Sequence, residues 1–219
     1  MIELIDLEKS FQASGQKKVV ANGISATFPT GVSVGLLGRN GAGKSSLLRM
    51  IAGADHPDSG EIRTTGTISW PVGFAGSFHG ELTGAQNVRF VARIYGVDAD
   101  ELVAYVEDFA DLGPHFNMPF RTYSSGMRSR LAFGSSMGIQ FDTYLVDEVT
   151  SVGDAEFRRK SEEVFNDRMS RAGAIVVSHS LDLIGRICEA GALLENGDLI
   201  YYNNVADAIE AYRTLLAPN

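Results

Sequence analysis

The residues best placed to do chemistry form a glycine-rich stretch, Gly-Arg-Asn-Gly-Ala-Gly-Lys-Ser, which begins at Gly38. It matches G-x-x-x-x-G-K-[S/T] at every fixed position and lies between an apolar run and a helical pattern, the context that a P-loop requires. Its glycines let successive N–H groups point at one phosphate chain. Lys44 would reach the terminal phosphates, and the Ser45 hydroxyl would ligate Mg²⁺. The stretch predicts a nucleoside triphosphate site with the ligands Gly38, Asn40, Gly41, Ala42, Gly43, Lys44, Ser45 and Ser46.

Three further polar residues follow two predicted strands. Asp147 and Glu148 end the apolar run 144–146, and the carboxyl ends of strands are where α/β sheets bind ligands. We expect Asp147 to hold Mg²⁺ and Glu148 to orient or deprotonate an attacking water; an ordinary solvated acid pair is the alternative. His179 ends the next strand, where a neutral imidazole would hydrogen-bond the γ-phosphate or the water, or serve a structural role. The predicted catalytic residues are Glu148, His179 and Lys44.

A hydroxyl-rich turn, Ser124-Ser125-Gly126-Met127, comes shortly before these acids. Such a turn at the start of a helix makes an anion site, although a simple helix N-cap is the alternative. We call residues 124–127 the signature turn.

Apolar runs and helical patterns alternate through most of the chain, which predicts an α/β fold. Strands are predicted through Phe28, within 60–70, at 143–146 and at 174–178. The segment 82–138 has a helical pattern, and the last helix is predicted at 205–216. Asn196-Gly197 between two apolar runs predicts a β-hairpin.

Composition limits the possible classes of protein. The chain has 219 residues, 44% of them hydrophobic, and a net charge of −8. No segment approaches the ~18–20 consecutive apolar residues of a membrane span, and the N-terminus does not resemble a secretory signal. The acidic balance argues against a broad nucleic-acid surface. The single cysteine, Cys188, excludes an internal disulfide and is expected to be a buried structural thiol.

Together these motifs resemble the nucleotide-binding domain of ABC transporters over essentially the whole chain. The resemblance implies ATP and Mg²⁺ as ligands. It also implies an α/β P-loop ATPase core with a mixed sheet, an N-terminal antiparallel β part and an inserted α-helical subdomain. A single domain, 1–219, is expected, with the core at about 1–75 and 140–219 and the helical subdomain at 76–139.

The resemblance also implies how the site is completed. Ser124, Ser125 and Gly126 would contact the ATP bound by a second copy, so that two subunits enclose two ATP molecules. Phe11 would stack on adenine, although packing in the core is the alternative. Asp154 lies in the segment 151–154, which corresponds to the D-loop at the dimer interface.

Two departures from the family pattern stand out. Met127 replaces the usual glutamine of the signature turn, and no glutamine occurs near 74–77, where the Q-loop should lie. Gln86 comes too late in the chain to fill that role. Ser77, His79 or a water molecule are the candidates to replace the missing magnesium contact.

The segments 68–73, 82–84, 87–95, 123–134 and 152–155 narrow the resemblance to the ATP-binding subunits of bacterial capsular-polysaccharide exporters. This implies an ATPase on the cytoplasmic face of the inner membrane, peripheral and homodimeric, which drives two integral membrane permease subunits. The permease would handle the polysaccharide, and no nucleic acid would be bound. The absence of an extra C-terminal domain favours the capsule group over O-antigen exporters.

Other classes stay open at this point. They are an O-antigen or teichoic-acid exporter ATPase, a soluble ABC ATPase without a transport role, and a P-loop kinase, which would give Ser124 and Asp154 no function. Contact with the permease is expected between residues 70 and 95. The aromatic residues of that stretch could equally form the core of the helical subdomain; they are Trp70, Phe74, Phe78, Phe90 and Tyr95.

Overall fold

A computed structural model of the protein describes residues 1–13, 16–74, 76, 78–147 and 154–217. These residues form two compact units. The first unit contains residues 1–71, 141–147 and 169–217, and the second contains the described residues of 72–140 and 154–168. The predicted boundaries at 76 and 139 stay a prediction; the described contacts group residues 154–168 with the helical unit.

The main sheet of the first unit has six strands in the order β5-β6-β7-β3-β8-β9. They are β3 (Ser33–Leu37), β5 (Ile68–Pro71), β6 (Thr143–Asp147), β7 (Gly173–Val177), β8 (Ala190–Glu195) and β9 (Asp198–Tyr202). Neighbouring strands run parallel except for β9, which pairs antiparallel with β8. Strands β3 and β7 are buried along their whole length, as expected for parallel strands covered on both faces.

The predicted hairpin is confirmed at Asn196-Gly197, which joins β8 to β9. Both residues have positive φ, 50° at Asn196 and 90° at Gly197. A two-residue turn with that backbone matches the twist of the flanking strands, which is why Asn-Gly is favoured there.

A separate antiparallel sheet of the first unit contains β1 (Ile2–Ala13), β2 (Gln16–Phe28) and β4 (Ser59–Thr64), in the order β2-β1-β4. This confirms the strand-rich N-terminal part that the sequence predicted. The pairing of β1 with β2 has a register shift between Lys9 and Ser10, after which Phe11 lies opposite Lys18.

Among the described residues of the first unit there are three helices: α1 (Lys44–Ile51), α6 (Leu181–Ile187) and α7 (Val205–Leu216). Leu47 and Leu48 of α1 are fully buried. Gly35 of β3 lets α6 approach closely, because a Cβ there would lie 2.5 Å from Cγ2 of Ile184. Cys188 is buried as predicted, and burial raises the pKa of its thiol to about 12, so it is not a nucleophile near neutral pH.

The second unit is helical and contains α2 (Gly84–Tyr95), α3 (Ala99–Ala110) and α4 (Ser125–Gly138). It also contains α5 (Ala155–Met169) except for the last residue, Met169, which belongs to the first unit. Two short 3-10 turns, Gly113–Asn117 and Phe120–Thr122, join α3 to α4. Small residues of α4 bring α3 close: a Cβ at Gly138 would lie 2.5 Å from Leu102, and one at Gly134 would lie 3.0 Å from Phe109. In the part of the chain that the structure describes, no helix is both long and apolar enough to span a bilayer.

Candidate functional site

The register of three parallel strands determines which residues share one edge of the main sheet. Gly35 of β3 lies beside Val176 of β7, and Val177 lies beside Asp147 at the end of β6. The segments that follow β3 and β7 therefore leave the sheet at the same edge as Asp147, because parallel strands end together. We call this the carboxyl edge. It brings together the P-loop (residues 38–45), Asp147 and His179.

At two positions of the P-loop only glycine fits, because a Cβ atom would overlap neighbouring atoms. Gly43 has a φ of 109° and immediately precedes α1, and a Cβ there would overlap the side chain of Val20. A Cβ at Gly38 would collide with the backbone oxygen of Leu194. The loop is closed on itself by a hydrogen bond from Ala42 N to Arg39 O of 3.0 Å. Its backbone is thus held in a tight turn at a helix N-terminus, the arrangement that binds phosphate.

The polar side chains at the start of α1 suit a polyanion. Nζ of Lys44 donates to Gly38 O at 2.7 Å and to Arg39 O at 3.2 Å, so the ammonium group lies against the loop. Ser45 is exposed, and Ser46 is half-buried beside it. The first turn of α1 carries no acidic residue, so nothing there offsets the partial positive charge of the helix N-terminus. Asn40 and Gly41 are exposed at the tip of the loop.

The carboxyl edge also supplies oxygen ligands for a metal ion. Asp147 is half-buried at the end of β6, and the Ser45 hydroxyl lies in the first turn of α1. Carboxylate and hydroxyl oxygens are hard ligands of the kind that Mg²⁺ prefers, so the chemistry of this donor pair fits Mg²⁺. Glu148 lies outside the described residues, so its predicted role stays a prediction.

His179 is exposed in the segment between β7 and α6. The next residue, Ser180, caps α6 by accepting a hydrogen bond from Leu183 N at 3.2 Å. Its own N–H donates to Oγ of Ser178 at 3.1 Å. These bonds fix the backbone on either side of His179 at the carboxyl edge. His179 would need to lie at this edge to contact a terminal phosphate.

Phe11 does not belong to the core, which contradicts the alternative weighed from the sequence. Its side chain is 36% exposed, and Nζ of Lys9 lies 5.2 Å from the ring centroid. Lys9 itself is paired with Asp55 at 3.0 Å. An exposed aromatic ring at this position is consistent with stacking on a base.

The signature turn lies in the second unit. Ser124 caps α4, since its Oγ accepts a hydrogen bond from Met127 N at 3.2 Å. Ser125 is exposed, and Gly126 is half-buried, with Oγ of Ser124 the nearest atom to a Cβ placed there, at 3.9 Å. A surface cavity of about 340 Å³ borders the turn. The N-cap alternative is therefore correct for the local structure. It does not decide the anion-binding role, because one turn can both cap a helix and bind an anion.

Asp154 has two partners within its own unit. Its Oδ1 accepts from Phe157 N at 2.9 Å, and its Oδ2 accepts from the Arg130 guanidinium at 2.6 Å. The backbone N–H of Phe157, followed by the charge of Arg130, lowers the pKa of this carboxyl group. Arg130 also lies over the Phe157 ring, 4.5 Å from its centroid. The carboxylate thus fixes the start of α5 against α4; residues 151–153 lie outside the described residues.

The missing Q-loop glutamine is not replaced by Gln86. Thr83 and Gln86 form a reciprocal capping box at the start of α2: Gln86 N donates to the Thr83 hydroxyl, and Thr83 N donates to the Gln86 side chain. The spacing T-x-x-Q was visible in the sequence as the signal for this cap. His79 Nδ1 accepts from Glu81 N at 3.3 Å, and Ser77 lies outside the described residues, so the replacement stays open.

Sequence reasoning did not predict the contact that Arg39 of the P-loop makes with the last helix. The Arg39 guanidinium donates to Leu215 O, near the end of α7, at 2.6 Å. Arg39 occupies a variable position of the motif, so the pattern gave it no role, and its charge was the one available signal. The bond ties the phosphate-binding loop to the last helix of the described chain.

Comparison with solved structures identifies the fold. A dimeric ATP-binding cassette in a post-hydrolysis state, bound to ADP and Pi, aligns with a TM-score of 0.74 at 18% identity, covering 94% of this chain and 99% of that one. The α/β P-loop ATPase fold predicted from the sequence, with its mixed sheet, antiparallel part and helices, is thereby confirmed.

Comparison of sequences gives the family. The family model described as ABC transporter matches residues 21–151. The polysialic acid transport ATP-binding protein KpsT of Escherichia coli is 49% identical, covering 97% of this chain and 96% of its own. The capsule polysaccharide export ATP-binding protein CtrD of Neisseria meningitidis serogroup B is 42% identical, covering 98% and 100%. The chain belongs to the ABC transporter family, as one of its ATP-binding ATPases.

Proposed function

We propose that this chain is the ATP-hydrolysing subunit of an exporter that carries capsular polysaccharide across the bacterial inner membrane. The observation that carries the proposal is the match to KpsT and CtrD, which extends over nearly the full length of all three chains. At identities of 42–49%, the exported polysaccharide need not be the one named for either relative.

In this proposal the carboxyl edge binds Mg-ATP. The P-loop N–H groups and Lys44 hold the phosphates, and Phe11 stacks on adenine. Ser45 and Asp147 are the residues that would hold Mg²⁺, which would neutralise charge on the terminal phosphates. Glu148 orients the attacking water and accepts its proton, and His179 donates a hydrogen bond to the γ-phosphate. The roles of Lys44, Glu148 and His179 concern transition-state charge or the position of the water, so removing any of them lowers turnover.

Two copies would complete each other's sites. The exposed signature turn of one copy, with Ser124, Ser125 and Gly126, would contact the ATP held by the P-loop of the other. The bonds that Asp154 makes to Arg130 and Phe157 support this arrangement, because they hold the segment after the D-loop in a fixed position relative to α4.

The exposed aromatic and aliphatic residues of α2 support contact with a membrane permease. Phe90 is 53% exposed and Ile94 is 61% exposed. Within the predicted stretch, Phe74 and Tyr95 are exposed as well, whereas Phe78 is buried against Phe120 and Trp70 packs against Phe141. We propose that the exposed members contact the permease from the cytoplasmic face. Of the other two, Phe78 fits the alternative of a helical core, whereas Trp70 packs within the first unit.

The experiment that tests this function is co-expression of the tagged chain with and without its neighbouring membrane subunits, followed by membrane recovery and ATPase assay. We expect a complex with two copies of each subunit. Its turnover should fall at least ~100-fold in Glu148→Gln, the size expected when a residue acting on the reacting water is lost, while ATP binding persists. A chain that stays in the soluble fraction in both cases, with turnover indifferent to membrane protein, would instead support an ABC ATPase without a transport role.

The polymer needs a separate readout. Surface capsule should be lost when the gene is deleted and should return with the wild-type chain but not with Glu148→Gln. Loss of O-antigen or of teichoic acid with intact capsule would move the assignment to the related exporters.

A further inference from the structure

We propose that Lys18 is a further phosphate-binding residue of the nucleotide site, acting beside the P-loop rather than within it. The proposal concerns ATP and ADP binding alone, and it rests on the nucleotide site and not on the identity of the exported polymer. None of the motifs of the chain includes Lys18; its role follows from where the β1–β2 hairpin lies relative to the loop.

The first observation is the distance between Lys18 and the loop. A Cβ placed on Gly41 would lie 3.3 Å from Nζ of Lys18. The ammonium group is therefore next to the exposed tip of the P-loop, within reach of an anion that the loop N–H groups bind. The same strand touches the loop a second time, through Val20 against Gly43, so β2 is packed on the P-loop and Lys18 is not on a remote surface.

The second observation is the partner of Lys18 across the hairpin. Phe11 of β1 lies directly opposite Lys18 in the ladder, and side chains of such a pair lie on the same face, with Cβ atoms roughly 4.5–5.5 Å apart. Lys18 thus lies beside the ring proposed to stack on adenine and beside the loop proposed to bind the terminal phosphates. A nucleotide that uses both would pass its phosphate chain along this ammonium group.

The third observation concerns charge. Within the described ranges, Lys18 has no carboxylate at ion-pair distance, whereas Lys9 of the same hairpin is paired with Asp55 and Asp58. The start of α1 carries no acidic residue either. The charge of Lys18 therefore adds to that of Lys44 and of the helix N-terminus, and convergent positive charge in a cleft favours a polyanion.

The chain provides a matched control in Lys17. It is the neighbouring residue of β2, lies opposite Gln12 and is exposed like Lys18. Because successive side chains of a strand point to opposite faces, Lys17 faces away from the loop. Lys17→Met and Lys18→Met remove the same charge and differ only in the face of the hairpin that loses it.

The test measures the affinity of the full-length chain for ATP, ADP and adenosine, by displacement of a fluorescent ADP analogue. We expect Lys18→Met to weaken ATP and ADP binding about five- to tenfold, roughly the effect of one charge-assisted hydrogen bond to phosphate. Adenosine affinity should not change. Lys18→Arg should restore nucleotide binding to within about twofold, since it keeps the charge, and Lys17→Met should match wild type.

Three results would overturn the proposal. They are equal losses in Lys17→Met and Lys18→Met, which would indicate a non-specific effect of net charge; an equal loss for adenosine, which would place the effect at the base; and unchanged affinity in Lys18→Met. Urea unfolding of both variants checks that the hairpin is intact. Transport is not measured, so failure of the proposed export role would leave a positive result for Lys18 standing.

Discussion

Gly43 shows at the scale of one residue why the P-loop motif tolerates so little change. Its φ of 109° disfavours any residue with a Cβ, and the space beside it is already filled by Val20. The two constraints are independent, since one concerns the backbone and the other concerns packing. Gly53, which follows α1, has a φ of 71° but no atom within 4 Å of a Cβ placed there.

We therefore predict that Gly43→Ala costs more stability than Gly53→Ala. The left-handed backbone alone should cost about 1–2 kcal/mol in either variant, and the overlap with Val20 should add about 1–3 kcal/mol in Gly43→Ala only. Urea unfolding measures the free energy of unfolding of both, and nucleotide binding should be lost in Gly43→Ala only. Equal destabilisation would show that the loop moves away from Val20 at no cost.

Much of the candidate site could be predicted because its residues are adjacent in sequence. The P-loop and the Asp147-Glu148 pair are contiguous motifs, and their strand–loop context is local. The contacts of Lys18 and Arg39 could not be predicted in the same way. Arg39 and Leu215 are 176 residues apart, and Lys18 lies beside Gly41 through the packing of β2 on the P-loop, which is a tertiary contact. Neither contact produces a periodic pattern in the sequence.

At the scale of elements, the start of α2 depends on one buried amide. Asn87 is 1% exposed. Its Oδ1 accepts from His79 N at 2.8 Å, and its Nδ2 donates to the carbonyl oxygens of His79, Leu82 and Thr83 at 3.0–3.3 Å. These four bonds connect α2 to the segment that precedes it, next to the region where the Q-loop glutamine is missing.

We predict that Asn87→Leu destabilises the chain by about 2–4 kcal/mol, because the His79 N–H loses its acceptor and the carbonyl oxygens of His79, Leu82 and Thr83 each keep only a backbone donor. Gln86→Ala is the control on the same turn. It removes only the exposed half of the capping box and should cost about 0.5–1 kcal/mol. Thermal and urea unfolding compare the two; similar small losses would mean that water replaces the amide of Asn87.

Elements whose signals are local were predicted correctly, among them the Asn196-Gly197 hairpin and the last helix, which spans Val205–Leu216. The order of the main sheet was not predictable in the same way. Strand β3 lies between β7 and β8, which follow much later in the chain, and parallel neighbours are joined by long crossovers that leave no trace in either strand's own pattern.

At the scale of the whole molecule, the two halves of the proposed ATP site belong to different units. The P-loop, Asp147 and His179 lie in the first unit, and the signature turn lies in the second. The second unit includes most of α5, although α5 follows β6 in sequence, because Phe157 of α5 packs against Phe109 of α3 with ring centroids 5.3 Å apart. That grouping depends on a tertiary contact, which is why the pattern of the sequence did not reveal it.

This division predicts two different responses to ATP in hydrogen exchange. In Glu148→Gln, ATP should protect the P-loop amides at any protein concentration, because a ligand stabilises the groups that it binds. The amides of the signature turn should gain protection only as protein concentration rises, because their ATP is bound by a second copy. Lys44→Ala with ATP is the control and should show neither change. Concentration-independent protection of the signature turn would contradict the shared site.

The bond between Arg39 and Leu215 has a practical consequence for labelling and fusion. Leu215 O lies at hydrogen-bonding distance from the Arg39 guanidinium of the phosphate-binding loop, so a group joined to the chain shortly after Leu215 starts near this side chain. An affinity tag or fluorescent protein attached there would therefore bring its own charge close to Arg39. An acidic tag would pair with the Arg39 guanidinium in place of Leu215 O, and a neutral linker of several residues after Leu215 would avoid this.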